Sequence, residues 1–307
     1  MGACAVGFGG PAAAIERHQD YPALRVALAP LGGEDHETLL AAASHEEADG
    51  WNLFRADDLT AGFAVARPDL DLEAATGELY HRLFAATPGL HLHRIWNYVP
   101  HINREEAGLE NYRRFCRARA AAFEARFGAA FQPLLPASSA VGAAAGPLAV
   151  AFIAGPAPGR HLENPLQVPA FNYPAEHGPR SPSFSRATLA GTAAATHVFI
   201  SGTAAIRGHA TVAPGNVDAQ LACTLENLAA IGATAGLGPA LGAGGPWQRR
   251  FKVYLRQRGD FPAVQSRLAS SLLRPGDRVA YLQAEICRPE LMIEIEATLA
   301  GPGRSHG

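Results

Sequence analysis

Glu294 and Glu296 stand two residues apart in LMIEIEA, a run whose alternation reads as a strand. Side chains of a strand point to its two faces in turn, so these carboxyls share one face and Ile293 and Ile295 the other. An acidic pair of this kind is ordinarily a solvated sheet face. Buried, it becomes a candidate for acid work, because burial raises a carboxyl pKa. Cys287 lies seven residues before Glu294; a lone strand cysteine is most often a small buried hydrophobe.

Arg180 and Arg186 lie in FNYPAEHGPRSPSFSRA, from Phe171 to Ala187, which also presents Tyr173, Ser183 and Ser185. They read either as ordinary loop arginines or as carboxylate clamps, since a guanidinium meets a carboxylate in a planar fork. A proline-stiffened loop is a rigid place from which to hold a ligand. Arg256, with Tyr254 two residues earlier on the same strand face, is a third cationic candidate, or else a surface strand end. Gly202, Thr203 and Ala204 lie at a strand end, where small residues let a ligand approach the backbone. The surrounding GTAAIRGH is no phosphate loop, because it lacks the GxxxxGK[ST] pattern.

The remaining chemistry-bearing types point away from metal and cofactor. Cys4, Cys116, Cys223 and Cys287 form no CxxC, which argues against a disulfide framework or a zinc site and fits a reducing cytoplasm. The histidines are scattered. His91 and His93 stand at strand spacing without a third partner, and the lone His209 reads as a satisfied polar residue. At a net charge of -2 there is no electrostatic reason to seek nucleic acid. Lys252 is the only lysine in a chain rich in arginine, alanine, glycine and proline, so an arginine acquires meaning only inside a motif. The opening MGACAVGFGG makes a poor signal peptide, and no apolar stretch reaches the length of a membrane span; a soluble cytoplasmic protein is expected.

The positioning elements follow from periodicity. A chain of 307 residues, 48% hydrophobic, has room for two domains, and 1–147 and 148–307 are the expected division. Short strands and turns fill 26–66, with Gly32-Gly33 and Asp49-Gly50 as turn signals. Helices are expected over 72–86 and 105–127, the second ended by Gly128. His91 to Val99 alternates as a strand. Gln132 to Pro147, low in charge and aperiodic, is the candidate boundary. The C-terminal part runs through strands at 148–153 and 197–201, a helix at 217–230, a strand at 250–256 and a helix at 261–273. It closes with a hairpin of 279–287 and 291–299. Strand, helix, strand, helix, strand, strand is an α+β plan, a mixed sheet with its helices on one face. The N-terminal half carries a worn version of the same order, as a diverged copy would.

Five blocks in the C-terminal half resemble the RidA/YjgF superfamily, in its order: SGTAA from Ser201, GNVDAQLACTLENL from Gly215, KVYL from Lys252, GDFPAV from Gly259 and IEIEA from Ile293. Three further stretches resemble the chorismatase family. They are WNYVPHIN from Trp96 with its GLENYRRFCRARAAAF helix, FNYPAEHGPRSPSFSRA from Phe171, and SGTAAIRGHATV with CRPELMIEIE from Cys287. The resemblance covers nearly the whole chain after about residue 45.

It implies a cofactor-free enzyme whose partner is chorismate. An acid protonates the terminal methylene of the enolpyruvyl ether, water or a ring hydroxyl captures the oxocarbenium-like centre, and pyruvate leaves with 3-hydroxybenzoate, alone or beside 4-hydroxybenzoate. Glu294, matching the first Glu of the superfamily's IEIE motif, is the implied acid, and Cys287 is implied to steer the ring product without covalent chemistry. Arg180, Arg186 and Arg256 are the implied clamps for the substrate carboxylates, with Tyr173, Gly202, Thr203 and Tyr254 as further contacts. An imine-hydrolysing deaminase and a silent small-molecule binder are the alternatives; the first does not need the N-terminal domain and the Phe171–Ala187 loop, and the second does not need both Glu294 and the arginines. The superfamily implies a homotrimer, and the fused chain a monomer that supplies both sides of an interface itself.

Overall fold

The computed structural model describes residues 2–18, 21–42, 44–192 and 194–303. Period-two alternation builds two large mixed sheets. The first takes Ser44–Ala48, Trp51–Ala56, Leu59–Val65, His91–Pro100, Ala137–Ala143 and Ala149–Gly155. The second takes Arg160–Leu162, Ala187–Gly191, Ala195–Ala204, Gln248–Leu255, Arg278–Gln283 and Ile293–Pro302, with Ala29–Gly33 added at one edge. Helices α1 (Leu72–Ala86) and α2 (Asn111–Phe127) belong to the first half, α3 (Val217–Thr234) and α4 (Phe261–Ser271) to the second.

Both halves follow one plan. A strand leads to a helix, a second strand, a second helix and a third strand parallel to the second. A helical crossover brings the chain back to its starting edge, which is why the strands it joins run parallel. The last strand then returns antiparallel between the first and the second. The N-terminal half is therefore laid out as a copy of the C-terminal half, and the α+β class expected from the sequence holds.

Alternation also sorts the layers. Ile95, Val99 and Phe152 of the first sheet pack outward on Leu79, Leu83, Phe115 and Phe123 of α1 and α2. Ile293, Ile295 and Val253 of the second pack outward on Leu221, Leu228 and Leu268 of α3 and α4. The inner faces meet over Phe54, Phe63, Trp96, Tyr98, Ala149, Ala151 and Ile153 on one side and Phe199, Tyr254 and Leu282 on the other. Cys4, Val6, Phe8 and Leu24, from a small sheet of Ala14–His18, Tyr21–Val26, Gly2–Phe8 and His36–Ala42, close the same core. Burying each large apolar side chain contributes about 1.5–3 kcal/mol. Asp71 caps α1 by accepting from the Glu73 and Ala74 amides at 2.8 and 3.0 Å. Gly128, at φ 80°, ends α2.

Several expectations are corrected. The second helix begins at Asn111, not at Glu105, because Ala107 and Gly108 at φ 51° and 75° turn a small hairpin of Glu105–Glu106 and Leu109–Glu110. The expected C-terminal hairpin does not form: Arg278–Gln283 pairs in parallel with Gln248–Leu255, which separates it from Ile293–Pro302. The helix α4 between the two parallel strands is the reason. The Gln132–Pro147 segment is no spacer, for Ala137–Ala143 is an edge strand of the first sheet. Its small residues suit close approach: the Ser138 amide donates to Ser201 Oγ at 2.8 Å, and a Cβ on Gly142 would lie 2.6 Å from that of Glu285. Ala149–Gly155 completes the first sheet and Ala29–Gly33 edges the second, so strands cross a division at 147/148 in both directions. Asp49-Gly50 makes the expected two-residue turn, at φ 51° and 69°, whereas Gly32-Gly33 ends the Ala29–Gly33 strand. No helix among the described residues is long and apolar enough to cross a membrane.

Candidate active site

Where the two sheets meet, the strand Ile293–Pro302 turns Glu294 and Glu296 toward the first half. Both are buried, and their surroundings differ. Glu296 lies in a cage of donors. Lys252 Nζ and Arg94 Nη2 reach it at 2.8 Å, Trp96 Nε1 donates at 2.7 Å, and Ser139 Oγ donates to it as well. Lys252 also pairs with Glu37 at 2.5 Å, from the small N-terminal sheet. Burial alone would raise the Glu296 pKa, but Lys252 and Arg94 outweigh it and hold the group down to about 2.

Glu294 has no such cage. Its Oε1 is buried and, among the described residues, has no hydrogen-bond partner. Burial first, and the Glu296 anion second, push its pKa up to about 8 against the pull of Arg94 and Arg186. It is therefore a carboxylic acid at neutral pH, in contact with a cavity. Gly202 opposite gives it space: a Cβ there would lie 2.0 Å from Glu294 Oε1. The Gly202 amide donates to Ser139 Oγ at 3.0 Å, so one hydroxyl ties Gly202 to Glu296.

The cavity over Glu294 is walled by both halves. Tyr173, Phe184, Arg186, Gly202, Cys287 and Arg288 come from the second half, and Tyr112 from α2 of the first. A smaller neighbouring recess sharing Glu294 and Cys287 is lined by Asn97, Cys116, Arg119, Ser138 and Ser139. Arg186 is buried and donates from Nη2 to Tyr173 Oη at 2.7 Å and to the Val168 carbonyl at 3.1 Å. Its nearest carboxylate, Glu163, stays 3.9 Å away. Burial lifts Glu163 up to about 7 despite Arg186, which leaves the guanidinium only partly neutralised. Arg288 also sits over the Tyr173 ring, 5.3 Å from its centroid. Two buried or half-buried guanidiniums beside a neutral acid suit a substrate bearing carboxylates.

Cys287 lines the cavity and its recess. Burial, then the nearness of Glu294, raises its pKa far above the usual thiol range, so it remains a thiol and a poor nucleophile.

The structure brings Glu294, Cys287, Tyr173, Arg186 and Gly202 together. Arg180 is elsewhere: its guanidinium pairs at 2.7 Å with Glu124 on α2, and its side chain is 43% exposed. The loop bends after Arg180, so only Arg186, one residue before the strand Ala187–Gly191, points inward. Arg256 also leaves the cavity, and donates to the carbonyls of Leu291, Ile286 and Arg288 at 2.7, 3.2 and 2.9 Å. It fastens the loop that carries Cys287. Thr203 turns its hydroxyl to the Ser201 carbonyl at 2.9 Å. Tyr254 stands across from Glu294 in the neighbouring strand and packs in the core between the sheets.

Sequence reasoning missed Arg94, Asn97, Arg119, Ser138, Ser139 and Arg288. Arg119 lies in mid-helix on α2. In the structure it is buried, stacks on Tyr80 and Phe123 and donates to Tyr80 Oη at 2.6 Å. The one available signal was the polar alternation of HLHRIWNYVP, which puts Arg94, Trp96 and Tyr98 on one face.

Comparison with known proteins places these features. A family model described as "Chorismatase FkbO/Hyg5-like, N-terminal" matches residues 38–154. A 3-hydroxybenzoate synthase of Streptomyces hygroscopicus is 39% identical over 215 residues, 67% of this chain and 62% of that protein. A chorismatase of Streptomyces rapamycinicus is 38% identical over 263 residues, 82% of this chain and 78% of that one. A chorismatase crystal structure, 30% identical, matches 97% of this chain and 92% of its own with a TM-score of 0.84.

Proposed function

The chain belongs to the chorismatase family, and we propose from that premise that it cleaves the enolpyruvyl ether of chorismate to pyruvate and 3-hydroxybenzoate. The observation that carries the reading is Glu294: a buried carboxyl, protonated up to about pH 8, whose Oε1 has no hydrogen-bond partner among the described residues and which borders a cavity lined with arginine. Enol-ether cleavage begins with a proton on carbon, which only a group still protonated near neutral pH can deliver.

In this reading Arg186 and Arg288 hold the substrate carboxylates, and Tyr173, which touches both, helps to hold them in place. Glu294 gives its proton to the terminal methylene. Water adds to the resulting oxocarbenium carbon, the bond from that carbon to the ring oxygen breaks, and pyruvate departs. The remaining dihydroxy ring acid loses water to become aromatic, so the sum is chorismate to pyruvate plus hydroxybenzoate. Cys287 borders the ring and favours the 3-hydroxy product. Glu296, fixed as an anion, keeps Glu294 protonated between turnovers.

Both cavity walls come from one chain, which supports a monomer as the working unit; sedimentation across a concentration series tests it. The cysteines, all free, support the cytoplasm as its compartment. The decisive test follows pyruvate release from chorismate by the wild type and by Glu294→Gln, with the ring product identified chromatographically. No pyruvate from the wild type, or an undiminished rate in the variant, overturns the proposal.

A further inference from the structure

At the rim of the cavity, three side chains that the proposed reaction does not use converge. His177 ends the turn Ala175–His177 in the Phe171–Ala187 loop, and His209 lies at the tip of the hairpin formed by Ile206–Arg207 and Ala210–Thr211. His177 Nε2 and His209 Nδ1 are 3.0 Å apart, and Glu176 Oε1 stands 3.5 Å from each. We propose that Glu176, His177 and His209 form a binding site for a divalent transition metal of the zinc type.

Two edges of the triangle have the right size, and the histidine pair must open by a few tenths of an ångström from its present hydrogen bond. Zinc binds nitrogen and carboxylate oxygen at about 2.0–2.2 Å, so neighbouring ligand atoms of a tetrahedral site stand about 3.3–3.5 Å apart. Two imidazoles and one carboxylate on such a triangle leave a further position for water or for the carboxylate of a bound anion. The ligands come from two segments, each held in place. The Tyr173 ring packs on the His177 ring at 5.2 Å, and Arg288 Nη1 donates to the His209 carbonyl at 2.9 Å and to Thr211 Oγ1 at 3.1 Å. One ring nitrogen of the pair now donates its proton to the other, and a bound ion would take that proton's place. Arg288 and Arg113 oppose a cation here, and the Glu176 carboxylate offsets part of their field.

The test uses the full chain, dialysed free of metal and titrated with cobalt(II) while visible ligand-field bands are read. One ion per chain is expected, displaced by zinc. His209→Ala should abolish the bands, and Glu176→Gln, an exposed position whose substitution leaves the fold intact, should weaken binding at least ~10-fold, since losing even an outer supporting residue typically costs about 10–100-fold. Absence of bands in the wild type overturns the proposal. So do bands unchanged in both variants, which would place the ion on other histidines.

Discussion

Glu294 and Glu296 occupy the same face of one strand, two residues apart, and at neutral pH the first is an acid and the second an anion. The difference lies in their neighbours: Lys252 and Arg94 reach Glu296, while Glu294 has burial and the adjacent negative charge.

Replacing Glu294 with Gln keeps the shape and removes the proton. Pyruvate release should fall by about 100- to 10,000-fold, the usual weight of general acid catalysis. In the wild type, kcat/KM should decline as pH rises through about 8, because the acid form is then lost. Stability carries the same signature. Glu294 binds its proton more tightly folded than at its ordinary pKa of 4.5, so its contribution is complete below that value and vanishes as pH climbs through about 8. Glu294→Gln should therefore gain on the wild type in denaturant melts as pH is raised. Melts that run parallel at all pH values would contradict the assigned protonation.

Gly202→Ala tests the space in front of the acid. A methyl group 2.0 Å from Oε1 must push the carboxyl aside, and a displacement of about 1 Å can cost about 100-fold in rate. The rate should drop far more than the fold weakens, for which overpacking suggests about 1–3 kcal/mol. A fully active Gly202→Ala enzyme would remove Glu294 from proton delivery.

The two loop arginines should part company. Arg186→Ala should lower kcat/KM about 10- to 100-fold, the worth of a charge-assisted hydrogen bond of about 1.5–3 kcal/mol. Arg180→Ala loses only a surface ion pair with Glu124, worth under about 1 kcal/mol, and should keep its kinetics. Equal losses in both variants would return Arg180 to the clamp.

Cys287→Val should keep pyruvate release and move the ring product away from 3-hydroxybenzoate. An unchanged product mixture would make Cys287 a packing residue. A dead enzyme would make it essential to ether cleavage. Intact-mass analysis of quenched wild type should show no adduct.

Lys252→Met strands the carboxylates of Glu37 and Glu296 in the core. Removing one partner of a buried ionic cluster costs about 3–5 kcal/mol, and chemical denaturation should register a loss of that size. A change within experimental scatter would show that water reaches the cluster.

The parts of this site that could be read from sequence were local. Period-two alternation put Glu294 and Glu296 on one face, and helical spacing located α1 and α3. What escaped was set by distant partners. Ser139 and Glu296 are separated by 157 positions, and Arg94 and Glu296 by 202, so nothing near either residue announces the contact. The ASSA run looked featureless because small side chains are what a strand needs when another sheet approaches closely. The C-terminal hairpin was misjudged for a related reason: a short loop between two strands says little about which strand comes between them in space.

The inner face of Ala149–Gly155 presents Ala149, Ala151 and Ile153 in the first half, where its counterpart in the second presents Glu294 and Glu296. The two halves share a plan, yet at this position only the second carries carboxyls. If Glu294 is the acid, each chain is a single-headed catalyst with a silent twin. Calorimetric titration with a chorismate analogue should saturate at one equivalent per chain, and initial velocities should rise hyperbolically, because the first half carries Ala149, Ala151 and Ile153 on that face.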